Sequence, residues 1–139
     1  MGLSTGEKPS HSYLASTVTA TSTSYIDSGL IVYLAANSTY YIQSLLNTTA
    51  NGDGIRYKYN FTGTVVTNGL NMQEAVSGLI QQLTFNAENT NTKVDEIIEV
   101  RGLVRTGSGG KLYVTFRKNT DVTDDTPIVA GSHVVATLL

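Results

Sequence analysis

The strongest constraint on this chain is a strict two-residue alternation near its C-terminal end. Over residues 112–117, Leu112, Val114 and Phe116 fall on one side and Tyr113, Thr115 and Arg117 on the other. Period two is the repeat of a pleated strand that buries one face. An apolar run over residues 97–104 precedes it, and the Gly-rich stretch 106–110 joins the two, so the pattern predicts a β-hairpin. A polar loop rich in Asn, Thr and Asp follows, then a final apolar strand over residues 133–139. A strand at a chain end must be held by neighbours or it frays.

The same punctuation recurs upstream. Alternation or apolar runs predict short strands over residues 17–21, 23–27, 30–35, 39–46 and 55–62, with a bent continuation over 64–67 past Gly63. A turn is expected at Asp27-Ser28-Gly29, a break at residues 36–38, and a loop over residues 47–54 with hairpin-type Asn-Gly and Asp-Gly steps. Residues 72–78 fit one helical turn or a loop and are too short for an independent helix. Residues 79–85 return to strand character. The count is about eight or nine strands with almost no helix, which means an all-β sandwich or barrel. At 139 residues the chain is one domain: an extended N-terminal arm over residues 1–15, rich in Gly, Ser and Pro, then a β-sandwich over residues 16–139. No transmembrane run and no secretory h-region is visible.

The chemical candidates are few. Cysteine is absent, which removes disulfides and thiolate zinc sites. The two histidines, His11 and His133, lack a nucleophile elbow or triad spacing, and read as a loop and a strand histidine. The acidic stretch at Asp121, Asp124 and Asp125 lacks EF-hand spacing and reads as a solvated turn. Residues 107–111, GSGGK, miss the earlier Gly and the following helix of a phosphate loop. Asp95, Glu96 and Glu99 would serve as a glycosidase pair only if two of them faced each other across a cleft; edge protection or intersubunit pairing explains them more simply. Arg56 and Lys58 alternate with Tyr57 and Tyr59, which puts cations and rings on opposite faces, and the net charge is −2. Nucleic acid is therefore not expected as a partner, nor is a membrane, and no cofactor or metal is expected.

The composition points instead to covered surface. Only 14% of residues are charged, and Thr, Ser, Asn and Gly supply the polarity. Such a surface suits a chain packed against partners, as well as a small β domain that prefers hydroxyls.

The block GKLYVTFRKNT, its Thr/Asp-rich loop and the closing PIVAGSHVVATLL resemble β-sandwich domains in structural proteins of tailed bacteriophages. The segment LIVYLAANSTYYIQSLL is similar to their apolar-strand, Ala-Asn-x-x-Tyr, apolar-strand unit. Together these stretches cover somewhat under half of the chain. Phe116, Arg117 and Lys118 stand where family members often carry Trp and Gln. The resemblance implies a jelly-roll-like antiparallel sandwich related to tumour necrosis factor and complement heads, often trimeric, with no catalytic residues.

The expectation is thus a virion structural protein made in the host cytoplasm and placed on the capsid surface. Its form would be a decoration or cement protein that binds the major capsid protein as a homotrimer and stabilises the shell. A start at Met without a coiled-coil or β-helical shaft is expected of a complete small protein rather than a long fibre. Shell contact is expected from the arm, through Leu3, Lys8, Pro9, His11, Tyr13 and Leu14. Trimer packing is expected on one exposed face that includes Tyr40, Ile42, Tyr57 or Tyr59. The alternative is a fibre-tip or receptor-binding head that recognises host-surface carbohydrate through loop Tyr and Asn residues.

Overall fold

A computed structural model of the chain describes residues 10–49, 54–91, 96–120 and 125–139. Thirteen strands account for the regular structure there. In chain order they are β1 (His11–Tyr13), β2 (Val18–Ala20), β3 (Ile26–Leu34), β4 (Thr39–Thr48), β5 (Ile55–Phe61), β6 (Val65–Asn68) and β7 (Asn71–Glu74). They continue with β8 (Ile80–Gln82), β9 (Asn89–Asn91), β10 (Glu96–Thr106), β11 (Gly110–Lys118), β12 (Thr126–Ile128) and β13 (His133–Leu138). The fold is the expected all-β sandwich. The strand count exceeds eight or nine because β2, β6, β7, β8 and β12 are short additions to an eight-strand frame.

The smaller sheet runs β3-β11-β5-β9, and the larger runs β1-β13-β4-β10-β7-β8, with β2, β6 and β12 attached at its margins. Taking the frame strands alone in chain order, the sheets read 1-8-3-6 and 2-7-4-5, the order of a jelly roll. All pairings are antiparallel. They are also nested: β1 pairs β13, β2 pairs β12, β3 pairs β11, β4 pairs β10 and β5 pairs β9. The chain is in effect one long hairpin with its tip at β6–β8, rolled up so that β5 also meets β11 and β13 also meets β4.

Alternation builds the core. Leu112, Val114 and Phe116 are fully buried, as are Ile55, Tyr57 and Tyr59 on the neighbouring strand and Leu30 and Val32 beyond. Facing them from the larger sheet are Ile42, Leu46, Ile98, Val100, Val104 and Val134, also fully buried. Burying a side chain of this kind contributes about 1.5–3 kcal/mol. Tyrosines enter this interior because each buried phenol finds a partner. Tyr59 Oη lies 2.7 Å from Ser44 Oγ, Tyr57 donates to Glu74 Oε2, and Tyr40 Oη accepts from the Ala35 N–H at 2.8 Å.

Two local expectations give way. β10 and β11 do not form a hairpin; residues 107–109 carry the chain from one sheet to the other. Two further crossings, residues 35–38 between β3 and β4 and residues 62–64 between β5 and β6, lie beside it. The three are stitched together. Asn37 N–H donates to Gly107 O at 2.9 Å, Thr106 Oγ1 donates to Ala35 O at 2.6 Å, and Gly107 N–H donates to Thr64 O at 2.8 Å. The second difference is Asp27-Ser28-Gly29, which is a bulge inside β3 rather than a turn. Ile31 and Asp27 pair with Tyr113 and Thr115, so Ser28, Gly29 and Leu30 all lie opposite Val114. Gly29 takes φ 89°, and Ser28 Oγ donates to Val114 O at 2.6 Å while accepting from Leu30 N–H. A Gly in a left-handed conformation serves a bulge as well as a turn.

Candidate functional site

Of the residues expected to meet a shell, Leu3, Lys8 and Pro9 lie outside the described residues. His11 and Tyr13 are not on a free arm: β1 pairs with β13, Tyr13 opposite His133 and His11 opposite Val135. Their rings stack, 6.5 Å apart and nearly parallel, and Tyr13 is 66% exposed. Leu14 is buried in the core, and its backbone is tied to Ser132 O and the Gly131 N–H. Residues 10–14 therefore belong to the sandwich.

The expected trimer residues need a correction. Tyr40, Ile42, Tyr57 and Tyr59 all point between the sheets and are buried within a single chain. None of them is on a surface. Both β4 and β5 alternate, and the face each buries is chosen by the opposite sheet, a non-local fact.

The side chains available on the larger sheet are the alternate ones. One row crosses all six strands: Tyr13, His133, Leu45, Glu99, Gln73 and Ile80. The next row is His11, Val135, Gln43, Arg101, Asn71 and Gln82. A third pairs Thr137, Tyr41 and Leu103. Large apolar groups stand exposed on this face: Ile80 at 68%, Leu103 at 49% and Ile97 at 42%. At its centre is a shallow depression of about 80 Å³ with Ser44 and Val100 among its lining residues. Gln43, Glu99, Arg101 and His133 also line it, and Glu99 and Arg101 are ion-paired. His133 Nδ1 sits 3.1 Å from Gly131 O.

A second cluster is buried. Glu96 Oε1 accepts the Val76 and Ile97 N–H groups at 2.6 and 3.0 Å, and Oε2 accepts the Ser77 N–H at 3.0 Å. Asn91 Nδ2 donates to both Glu96 Oε2 at 3.0 Å and Glu74 Oε2 at 2.8 Å. Burial pushes the Glu74 carboxyl up against the Asn91 and Tyr57 hydrogen bonds, and the Glu96 charge adds to that rise. Burial pushes Glu96 up as well, but the Val76 and Ser77 N–H groups, the Asn91 amide and the Ile97 N–H outweigh it and hold the carboxyl low. The cluster fastens the turn after β7; residues 72–78, expected as one helical turn or a loop, are instead the end of strand β7 followed by this turn. Glu96 points inward and Glu99 outward from the same strand, so these two cannot face each other across one cleft; Asp95 lies outside the described residues. Tyr57 and Glu74 were missed as a polar pair because each alternates like an ordinary core or surface residue.

Among the described residues, no three His, Asp or Glu side chains converge as a metal site requires, and no helix is long and apolar enough to cross a membrane. No protein-family model matches the chain, and a comparison with curated proteins finds no match to it either.

Proposed function

We propose that the chain is a virion structural protein, a capsid decoration or cement subunit that self-associates as a homotrimer and binds the assembled shell. The observation that carries this reading is the outer face of the larger sheet. It is broad, crosses six strands, and leaves Tyr13 and Ile80 exposed at its two edges and Leu103 and Ile97 exposed along β10. Four large apolar groups exposed on one sheet face support its use as a contact surface. A ring of three would use this face against a different patch of the next copy, the heterologous arrangement that closes by rotation. The number three and the virion setting rest on the resemblance of the C-terminal block to phage sandwich domains. Binding the assembled shell in preference to its dissociated parts stabilises it by mass action. The N-terminal residues ahead of β1 are the proposed shell contact.

Light scattering tests the assembly, and cosedimentation with shells lacking the protein tests the partner. The expected result is a trimer that saturates shells, and on Leu103→Arg a folded monomer whose melting temperature no longer depends on concentration. Leu103 is half exposed, so the substitution costs the fold less than about 0.5 kcal/mol. A wild-type monomer at every concentration, or a trimer indifferent to shells, would overturn the respective half of the proposal.

A further inference from the structure

The outer face of the smaller sheet differs in kind from that of the larger. Along the central strand β11 its outward residues are Lys111, Tyr113, Thr115 and Arg117. On one side β5 adds Arg56, Lys58 and Asn60 in register with Arg117, Thr115 and Tyr113. On the other side β3 places Tyr33 beside Lys111 and Ile31 beside Tyr113. Among the described residues this face thus holds four cations, Arg56, Lys58, Lys111 and Arg117, with two carboxylates, Asp27 and Glu88, a surplus of two.

Rings and cations are interleaved here. Lys58 Nζ stands 4.4 Å from the Tyr25 ring centre, and Lys111 Nζ 4.7 Å from that of Tyr113. Arg117 covers Tyr25 at 5.4 Å. Such contacts hold ammonium and guanidinium groups at the surface without neutralising them. Glu88 binds Tyr25, Arg56 at 2.6 Å and Arg117 at 3.4 Å, which fixes one end of the face. Among the described residues Lys58 and Lys111 have no carboxylate within ion-pair distance. The expectation that cations and rings occupy opposite faces holds for Tyr57 and Tyr59, but Tyr25, Tyr33 and Tyr113 restore aromatics to the basic side.

We propose that this face binds an acidic polysaccharide, with Lys58 and Lys111 meeting its carboxylates and Tyr33 and Tyr113 packing against its sugar rings. Outward residues along a strand repeat about every 7 Å. From Lys111 to Thr115 the face therefore offers cation, ring and hydroxyl in a line of about 13 Å, with the second cation, Lys58, beside Thr115. A polyuronate presents the matching sequence of flat C–H faces and carboxylates, and charge-assisted hydrogen bonds to Lys and Arg supply the strong contacts. The amide of Asn60, 2.9 Å from Thr115 Oγ1, adds a polar group between them. A nucleic acid carries a denser charge than two surplus cations can meet. The inference stands apart from the trimer proposal, because it uses the opposite sheet and needs no shell.

The test is titration of the full chain with fluorescent alginate oligomers, with polyglutamate, dextran and oligothymidylate as comparison ligands. Expected is saturable binding of alginate, about tenfold or more tighter than of the other three, a difference of about 1.4 kcal/mol each. The double variant Lys58→Gln, Lys111→Gln and the single variant Tyr113→Ala should each weaken alginate binding about tenfold. Leu103→Arg on the other sheet should leave it unchanged. If Tyr113→Ala fails to fold, the lysine variant decides, since those two side chains lie over rings at the surface. Equal affinity for polyglutamate, preference for oligothymidylate, no saturable alginate binding, or indifference to the lysine variant would each overturn the proposal.

Discussion

Glu74 and Glu96 share the single amide of Asn91, yet their surroundings push their protons in opposite directions. Glu74 is raised by burial, so the fold holds its proton more tightly than the unfolded chain does. Its contribution to stability is complete below the ordinary carboxylate pKa of about 4.3 and is lost as pH rises through the raised value. Glu96 is lowered by the Val76 and Ser77 N–H groups against its burial. Its contribution is present above the ordinary value and is lost as pH falls through the lowered one. Urea midpoints measured across pH should therefore separate the two. Glu74→Gln should flatten the decline above the ordinary carboxylate range, and Glu96→Gln should remove part of the acid-side loss while costing about 1–3 kcal/mol near neutrality through the unpaired turn N–H groups. An unchanged slope above that range in Glu74→Gln would assign the decline to another group. The pair was hidden in the sequence because a carboxylate on a strand reads as a surface residue unless its non-local donors are known.

β10 shows what an element can conceal. Its eleven residues span the larger sheet, pairing with β4 along one edge and with β7 and β6 on the other. Gly102 sits where the chain passes from β6 to β7. It has φ 147°, and a Cβ there would run into the Gly69 carbonyl oxygen, while Gly69 N–H donates to Leu103 O at 2.8 Å. Gly102→Ala should destabilise the protein by about 3 kcal/mol or more, read from denaturant midpoints; a change within about 0.5 kcal/mol would mean that the close approach is absent in solution. Alternation made β4, β5 and β11 legible residue by residue, since Ile55, Tyr57, Tyr59 and Phe61 point one way and stay buried. The link between β10 and β11 was not legible. A Gly-rich polar segment serves a hairpin and a sheet-to-sheet crossing equally well, and the difference lies in partners more than forty residues away, such as Thr64 on Ser108. The same ambiguity put Tyr40, Ile42, Tyr57 and Tyr59 on an imagined surface: periodicity gives two faces and leaves their direction to the opposing sheet.

At the scale of the molecule, the two sheets turn two different surfaces outward, one apolar around a small polar depression and one basic and aromatic. The N-terminal segment lies next to the first of them, since β1 ends one of its rows. Truncation separates the roles of this segment. Removing residues 2–9 should leave a folded protein that no longer cosediments with shells. Removing residues 2–15 also strips β1 and the buried Leu14, and should cost about 2–5 kcal/mol in thermal or urea melts. Undiminished shell binding after the shorter truncation would move the contact onto the sandwich itself. The nested pairing of strands has a consequence in time. β1, β2, β3 and β4 find their partners in β13, β12, β11 and β10, so the first half of the chain leaves the ribosome with unpaired strand edges and waits for the second. Among the described strands, the pairing of β7 with β8 is local enough to close early. A chain wired this way has a high contact order and folds in milliseconds to seconds rather than microseconds. Pairing would spread outward from the middle of the sequence, the two ends would lock last, and the waiting edges would be the interval in which chaperones or neighbouring chains compete for them.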